Sequence, residues 1–242
     1  MTGNLNDEIK KSAYFSNRNV TDTSYTDYTL PRYLAPYFTE ADKDLEILDI
    51  GCGLGQTLGF LKKKGFSKLF GIDINDESID ICKKNGLAVE MVNDTREFAL
   101  KTGKKYDRII MSHVLEHIRK EDMIDTLAHI KKYLLKEGGI FLLMVPNAQS
   151  YTGSYWRYED FTHNILFTSG SCIYVLRSAG FTEIDFIDPD GTQHMNPVKR
   201  IIIKLLLSYH RFKENCWNKI LQTSFHKGSP RIYTFELKVA AR

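Results

Sequence analysis

The sequence predicts an α/β fold: a seven-stranded, mostly parallel sheet with helices on both faces and a helical insertion before the last strand. Three observations predict it. Short apolar runs alternate with stretches of helical periodicity along most of the chain. The runs are near-continuously apolar, as strands covered on both faces are. A turn with three alternating glycines, LDIGCGLG (48–55), comes directly after the first run and before the first helical stretch.

The elements are taken in chain order. Residues 1–44 are polar but rich in Tyr and Phe (Tyr14, Phe15, Tyr25, Tyr28, Tyr33, Tyr37) and are expected to close over a site as a lid. Pro31 opens a short helical stretch, PRYLAPYF. Strands are expected at LEILDI (45–50), KLFGID (68–73), AVEMV (88–92), YDRIIM (106–111), GIFLLMV (139–145), TEIDFI (182–187) and RIYTFELKVA (231–240). Helices are expected at 55–64, 77–84, 95–102, 119–136 and 169–179. The fourth is the clearest: Met123, Ile124, Leu127, Ile130, Tyr133 and Leu134 recur at helical spacing, and Gly138 stops it. One domain, 1–242, is expected, with a ligand-binding core at 45–187, a helical insertion at 196–228 and a last strand at 230–241. In such sheets ligands sit at the carboxyl ends of the strands.

Composition narrows the class. With 43% apolar and 26% charged residues, the chain reads as an ordinary globular protein. Net charge is +3, which predicts no polyanion partner, and no nucleic acid is expected. The charge is uneven: from Asn196 onward ten Lys/Arg face two Glu, leaving −5 on the first 195 residues. Cys52, Cys82, Cys172 and Cys216 have no metal-like spacing. They read as reduced thiols of a cytoplasmic protein. MTGNLNDEIKKSAYF has no apolar core and reads as no export signal. No apolar run reaches the ~20 residues of a membrane span.

A turn that must touch a ligand with its main chain cannot carry side chains. Gly51, Gly53 and Gly55 remove that bulk and permit positive φ, and the next helix presents free N–H groups. Dinucleotides and S-adenosylmethionine both suit such a turn. The dinucleotide pattern GxGxxG needs glycine at 56 or 58, where Gln56 and Leu58 stand. The segment LDIGCGLG instead resembles the first motif of the class I S-adenosylmethionine-dependent methyltransferases, a Rossmann-like family. FGIDIN, VNDTREF, YDRIIMSHVLEHI and LLKEGGIFLLMVPN resemble its later segments in register.

The resemblance implies S-adenosylmethionine as cofactor and S-adenosylhomocysteine as product. It implies that Asp73 accepts from the ribose hydroxyls and Asp94 from the adenine amino group. Asp49, Gly51, Cys52, Gly53, Gly55, Ile74, Asn93, Thr95, Ser112 and His113 complete the expected cofactor set. Asp49 either fixes the amino-acid end of the cofactor or ties the turn together.

The acceptor is read from the segments after the fourth and fifth strands. Base-modifying amino methyltransferases often carry N/D-P-P-Y/F after the fourth strand; MSHV stands here, which argues against that chemistry. An oxygen nucleophile needs a base, most often histidine. YWRYEDFTHNILFT (155–168) resembles a segment of bacterial methyltransferases encoded with surface-polysaccharide pathways. It implies His163 as general base, Asp160 or Glu159 as its partner, and Tyr155, Trp156 and Tyr158 stacking on a sugar. His113 is the second candidate base. The primary reading has no metal. The alternative is a quinone- or phenol-type methyltransferase with a divalent ion on His113, Glu116 and His117, since SHVLEH resembles the E-V-x-E-H run of ubiquinone-pathway enzymes. A catalytically silent methyltransferase-like protein is the third reading.

The insertion VKRIIIKLLLSYHRFKENCWNKILQTSF (198–225) has helical periodicity, a wide apolar face and six Lys/Arg. Three roles stay open: a lid or homodimer helix, contact with an anionic membrane surface, or a seat for nucleic acid or a phosphorylated substrate. The expected acceptor is a small molecule or glycan hydroxyl.

Overall fold

The computed structural model describes residues 14–21 and 23–242; residues 1–13 and Asp22 lie outside the described residues, and with them most of the segment read as no export signal. The seven expected strands are β1 (Ile47–Ile50), β2 (Leu69–Asp73), β3 (Val89–Met91), β4 (Tyr106–Ser112), β5 (Leu135–Pro146), β6 (Ile184–Phe186) and β7 (Glu236–Ala241). They form one sheet in the order β3-β2-β1-β4-β5-β7-β6. The pairs from β3 to β5 are parallel, and β7 runs antiparallel between β5 and β6. Chain order reverses between β1 and β4, so the crevice expected for a ligand lies there.

The side-chain period of two explains the apolar runs. In β5, Phe141, Leu143 and Val145 enter one core, while Ile140, Leu142 and Met144 enter the other. Both faces are therefore buried, and every second residue has no polar option.

The helices are α1 (Tyr14–Asn17), α2 (Gln56–Lys63), α3 (Asp76–Lys84), α4 (Thr95–Thr102), α5 (Lys120–His129), α6 (Gly153–Glu159), α7 (Ser169–Ser178) and α8 (Pro197–Ile220). Phe98 of α4, Met123 and Leu127 of α5, and Cys172 and Leu176 of α7 fill the first core. Leu61 of α2 and Leu34 fill the second. Side-chain caps fix several starts: Asn75 on Ser78 N for α3, Asp94 on Arg96 N for α4, and a Thr168–Ser171 capping box for α7.

Three boundaries differ from expectation. The helix over 119–136 ends at His129 and passes through one π turn, Ile130–Leu134. Leu135 already pairs with Tyr106 in the sheet, so the chain leaves the helix before Gly138. The last strand starts at Glu236 rather than 231. The carbonyls of Ile232 and Thr234 instead accept from the Asn147 side chain, at 2.8 and 2.9 Å. PRYLAPYF forms a 3₁₀ helix, Arg32–Tyr37; in an α-helix the Pro36 ring would clash with the carbonyl four residues back.

The glycine turn between β1 and α2 is a tight fit. Gly51 has φ +71°, and a Cβ there would lie 2.2 Å from Val114 Cγ2. Gly59, inside α2, has open space around its Cα. Gly51→Ala should lower stability by about 1 kcal/mol or more, a Tm drop of roughly 2–4 °C at least. Gly59→Ala should leave Tm unchanged or raise it. Equal effects in thermal unfolding would remove the special role of the turn.

Candidate active site

A cavity of about 470 Å³ opens over the carboxyl ends of β1, β2 and β4. That is within the roughly 300–1,000 Å³ of cofactor sites. Its floor is the glycine turn. Gly51 N and Cys52 N both donate to Ile72 O, at 2.8 and 3.1 Å. Gly53 N donates to Asp73 Oδ2 and Asn75 N to Asp73 Oδ1, each at 2.8 Å. Burial pushes the Asp73 carboxyl up, against donors from Asn75, Gly53 and Ile74 that favour its charge. Gln56 also lines the cavity, and its Oε1 is buried without a hydrogen-bond partner among the described residues.

The wall after β4 is Ser112, His113, Val114, His117 and Ile118. His113 takes the left-handed conformation, φ +55°, which aims its ring across the sheet edge. Its Nε2 lies 3.1 Å from Glu236 Oε2 and its Nδ1 3.4 Å from Glu116 Oε1. Burial opposes protonation of His113, but the two carboxylates outweigh it and lift the pKa to about 10. The ring is 43% exposed, so solvent in the cavity screens both contacts. Glu236 also accepts from Tyr33 OH, at 3.1 Å. Glu116 is wholly buried, and neither of its oxygens has an aligned hydrogen bond.

A second chain of contacts reaches the same wall. Thr162 Oγ1 donates its one hydrogen to Asp160 Oδ1, at 2.6 Å. Its contact with His117 Nδ1, at 2.8 Å, must then be an N–H donated by His117. Neutral His117 is thereby held in the tautomer whose basic nitrogen is Nε2. His163 has a different fate. Its Nδ1 donates to Trp156 O at 2.7 Å, and its ring packs 4.7 Å from His117.

The N-terminal segment closes the front. Tyr14, Phe15, Arg18, Val20 and Tyr25 line the cavity. Tyr14 OH and Arg18 Nη1 each reach Asp160 Oδ2 at 2.6 Å. Burial raises the Asp160 carboxyl, but donors from Thr162 and Tyr14 prevail and hold it at about 2.

Of the expected cofactor residues, Gly51, Gly53, Asp73, Ile74, Asn93, Asp94, Thr95, Ser112 and His113 line the cavity. Asp49, Cys52 and Gly55 do not. Asp49 is buried behind the turn, where burial and the Asp73 charge lift it to about 8. Cys52 packs with Leu58 and Ile79, and a Cβ on Gly55 would meet Leu87 at 2.5 Å. Asp94 is already paired with Arg96, Nη2 to Oδ2 at 2.8 Å. Tyr155, Trp156, Tyr158, Asp160 and His163 are not on the cavity wall. Tyr155 and Tyr158 are exposed on α6, and Trp156 packs on Phe235. Among the described residues the ligand atoms that converge, within 4.8 Å of one another, are those of Glu116, His117 and His163 rather than the alternative set of His113, Glu116 and His117. The pairing of Tyr14 and Arg18 with Asp160, and of His113 with Glu236, carried no local sequence signal.

The fold, the side-chain-free turn and the acids on neighbouring strands define a nucleotide-type cofactor site in a Rossmann-like sheet. A family model described as a methyltransferase domain matches residues 23–185. The ubiquinone biosynthesis O-methyltransferase of Dinoroseobacter shibae is 32% identical over 111 residues, covering 43% of this chain and 42% of that protein. The matches thus span under half the length of these curated relatives. A SAM-dependent methyltransferase from Archaeoglobus fulgidus superposes with a TM-score of 0.63 at 21% identity, over 94% of this chain and 97% of that one. The plantazolicin methyltransferase in complex with SAH gives 0.56 at 17% identity, over 95% and 88%. The chain belongs to the methyltransferase-domain family and has the fold of S-adenosylmethionine-dependent methyltransferases. The cavity suits that cofactor: its floor carries no side chains, Asp73 and Asp94 line it as acceptors, and the orphaned Gln56 oxygen offers another.

The clamp on His113 predicts a pH dependence. A raised pKa contributes stability that is complete below the ordinary value of 6.5 and is lost as pH rises through about 10. His113→Gln should flatten the alkaline slope of Tm against pH between those limits. Parallel curves for the two proteins would remove the clamp.

Proposed function

We propose that this protein moves a methyl group from S-adenosylmethionine to the hydroxyl of a small aromatic acceptor, with His117 taking the acceptor's proton. When bound, the cofactor supplies an electrophilic methyl on a sulfonium. The chain's own residues do the rest. Gly51, Gly53 and Asp73 seat the ribose end, and Asn93, Asp94 and Thr95 border the adenine end. The His113 cluster, one imidazolium between two carboxylates, keeps the wall net negative beside a cationic ligand.

The single observation that carries the reading is the chain His117–Thr162–Asp160, in which His117 lines the cavity and the other two stand behind it. It fixes one tautomer and places a carboxylate where a developing imidazolium needs it, the logic of a hydroxyl-activating triad. His163 stands behind this wall, so the proton-accepting role moves from His163 and His113 to His117. Thr162 and Asp160 become positioning residues. The aromatic acceptor is supported by Tyr14, Phe15 and Tyr25, which line the cavity, whereas the expected sugar-stacking residues lie outside it. The names of the ubiquinone biosynthesis relatives agree with a phenol-type ring. A glycan hydroxyl is the competing acceptor, and release of S-adenosylhomocysteine with phenols rather than nucleotide sugars is the expected outcome of a screen. The reverse pattern would return the glycan reading.

A second reading has its own observation. Glu116, His117 and His163 could hold a divalent ion, with Thr162 and the Trp156 carbonyl orienting the two imidazoles from behind. His117 then binds metal instead of a proton. We expect His117→Ala to lower turnover ~100-fold or more with cofactor affinity kept, and turnover of the parent protein to survive chelation. Stoichiometric ion by elemental analysis, with chelator-sensitive turnover, would exchange the first reading for the second.

A further inference from the structure

The helix α8 poses a problem that the site does not absorb. It is 24 residues long, about 36 Å at the α-helical rise, and none of its residues is buried. Its inner edge is tied down. Arg200 donates to Thr192 O and Gln193 O, at 3.3 and 2.9 Å. Tyr233 OH donates to Glu214, and Arg231 donates to Asn215 Oδ1 at 2.7 Å. The ring of His210 meets Tyr233 edge-on at 4.7 Å.

The outward side is apolar. Val198, Ile202, Leu205, Tyr209, Phe212 and Ile220 succeed one another at spacings of three, four and eight, and each is 50% or more exposed. Such a line over about six turns far exceeds the scattered exposed apolar residues of an ordinary surface. By helical period Lys199 and Lys213 flank one side of it and Lys219 the other, while Lys204 and Arg211 lie further round, toward Asp190 and the Tyr233 ring. The helix has one acid, Glu214, and that is turned inward to Tyr233 and Arg231. Tyr151, 92% exposed, touches the helix at His210 and adds an amphipathic ring to the same neighbourhood.

The charge pattern chooses the occupant. A two-fold homodimer through this line would bring Lys199, Lys213 and Lys219 of one helix against those of its copy, with no acid of the helix beside the line to offset them; Asp190 pairs with Lys204, further round. An anionic lipid surface meets both demands: acyl chains for the apolar line and headgroups for the cations. Spanning is excluded for this helix, since no helix among the described residues is long and apolar enough to cross a membrane.

We propose that α8 lies flat in an anionic lipid surface, its line from Val198 to Ile220 facing the acyl chains and its lysines in the headgroups. The helix is tied to residues 231–233, just ahead of β7, and β7 begins with Glu236 beside the cavity. The contact therefore sets the carboxyl edge of the sheet near the membrane, and it stands whatever the acceptor proves to be.

The test is co-sedimentation of the full chain with vesicles of phosphatidylglycerol or of phosphatidylcholine. Binding to phosphatidylglycerol that falls as salt rises, with little on phosphatidylcholine, is expected. Lys199→Gln, Lys213→Gln and Lys219→Gln should each weaken it roughly fivefold. Leu205→Glu with Tyr209→Glu should abolish it. All these positions are exposed, so unchanged Tm would confirm folding of each variant. No binding to either vesicle, or equal binding to both at all salts, would overturn the proposal. So would a stable dimer, by light scattering, that Leu205→Glu dissolves and vesicles do not compete with.

Discussion

Two backbone N–H groups converge on one carboxylate, and the site depends on that convergence. Asp73 ends β2 and holds Gly53 from the turn after β1 and Asn75 from the start of α3. Ile72 O takes two more donors from the same turn. The bend is thereby sewn to the neighbouring strand, in a conformation that only glycine holds without strain at 51 and 53. The cavity keeps its shape through backbone hydrogen bonds rather than side-chain bulk. That leaves peptide groups exposed to a ligand and a half-satisfied acid beside them. Asp49, one layer behind, shares the cost: burial and the Asp73 charge leave it at about 8, so a cation in the cavity favours its ionised form.

What could be read from sequence was what local physics determines. Buried strands declare themselves by unbroken apolar runs, and the turn by its glycines, because sterics at positive φ allow little else. The cofactor edge came with them, since residues directly after parallel strands must face the crevice. Cys52 and Gly55 stay off the cavity wall for an equally local reason. They sit in the motif, but their side of the turn packs on Leu58, Ile79 and Leu87 and serves the core. The end of the helix at His129 was missed because a sheet pairing, Leu135 with Tyr106, overrode a helical pattern.

The proton chemistry was out of reach because it is made of distant pairs. His113 meets Glu236 across 123 positions, and Tyr14 meets Asp160 across 146. Sequence put His163 first as base and His113 second, and gave His117 only a place in the metal alternative. The structure separates them by what each holds with its second nitrogen. His113 is caught between two acids and stays charged. His163 spends Nδ1 on the Trp156 carbonyl and turns into the wall. His117 gives Nδ1 to a threonine that is itself pinned to an aspartate. Identical side chains thus differ in charge, tautomer and access, and only the last combination suits a group that must gain and lose a proton.

Asp160 shows how the same group can order a site and close it. Its Oδ1 takes Thr162, which orients His117; its Oδ2 takes Tyr14 and Arg18, which bring the N-terminal segment over the cavity. Tyr14 also meets the His117 ring edge-on at 6.1 Å. Withdrawing that segment would take two donors from Asp160 and also expose it to water, effects of opposite sign on its charge. One carboxylate thus ties the orientation of His117 to the position of the segment over the cavity.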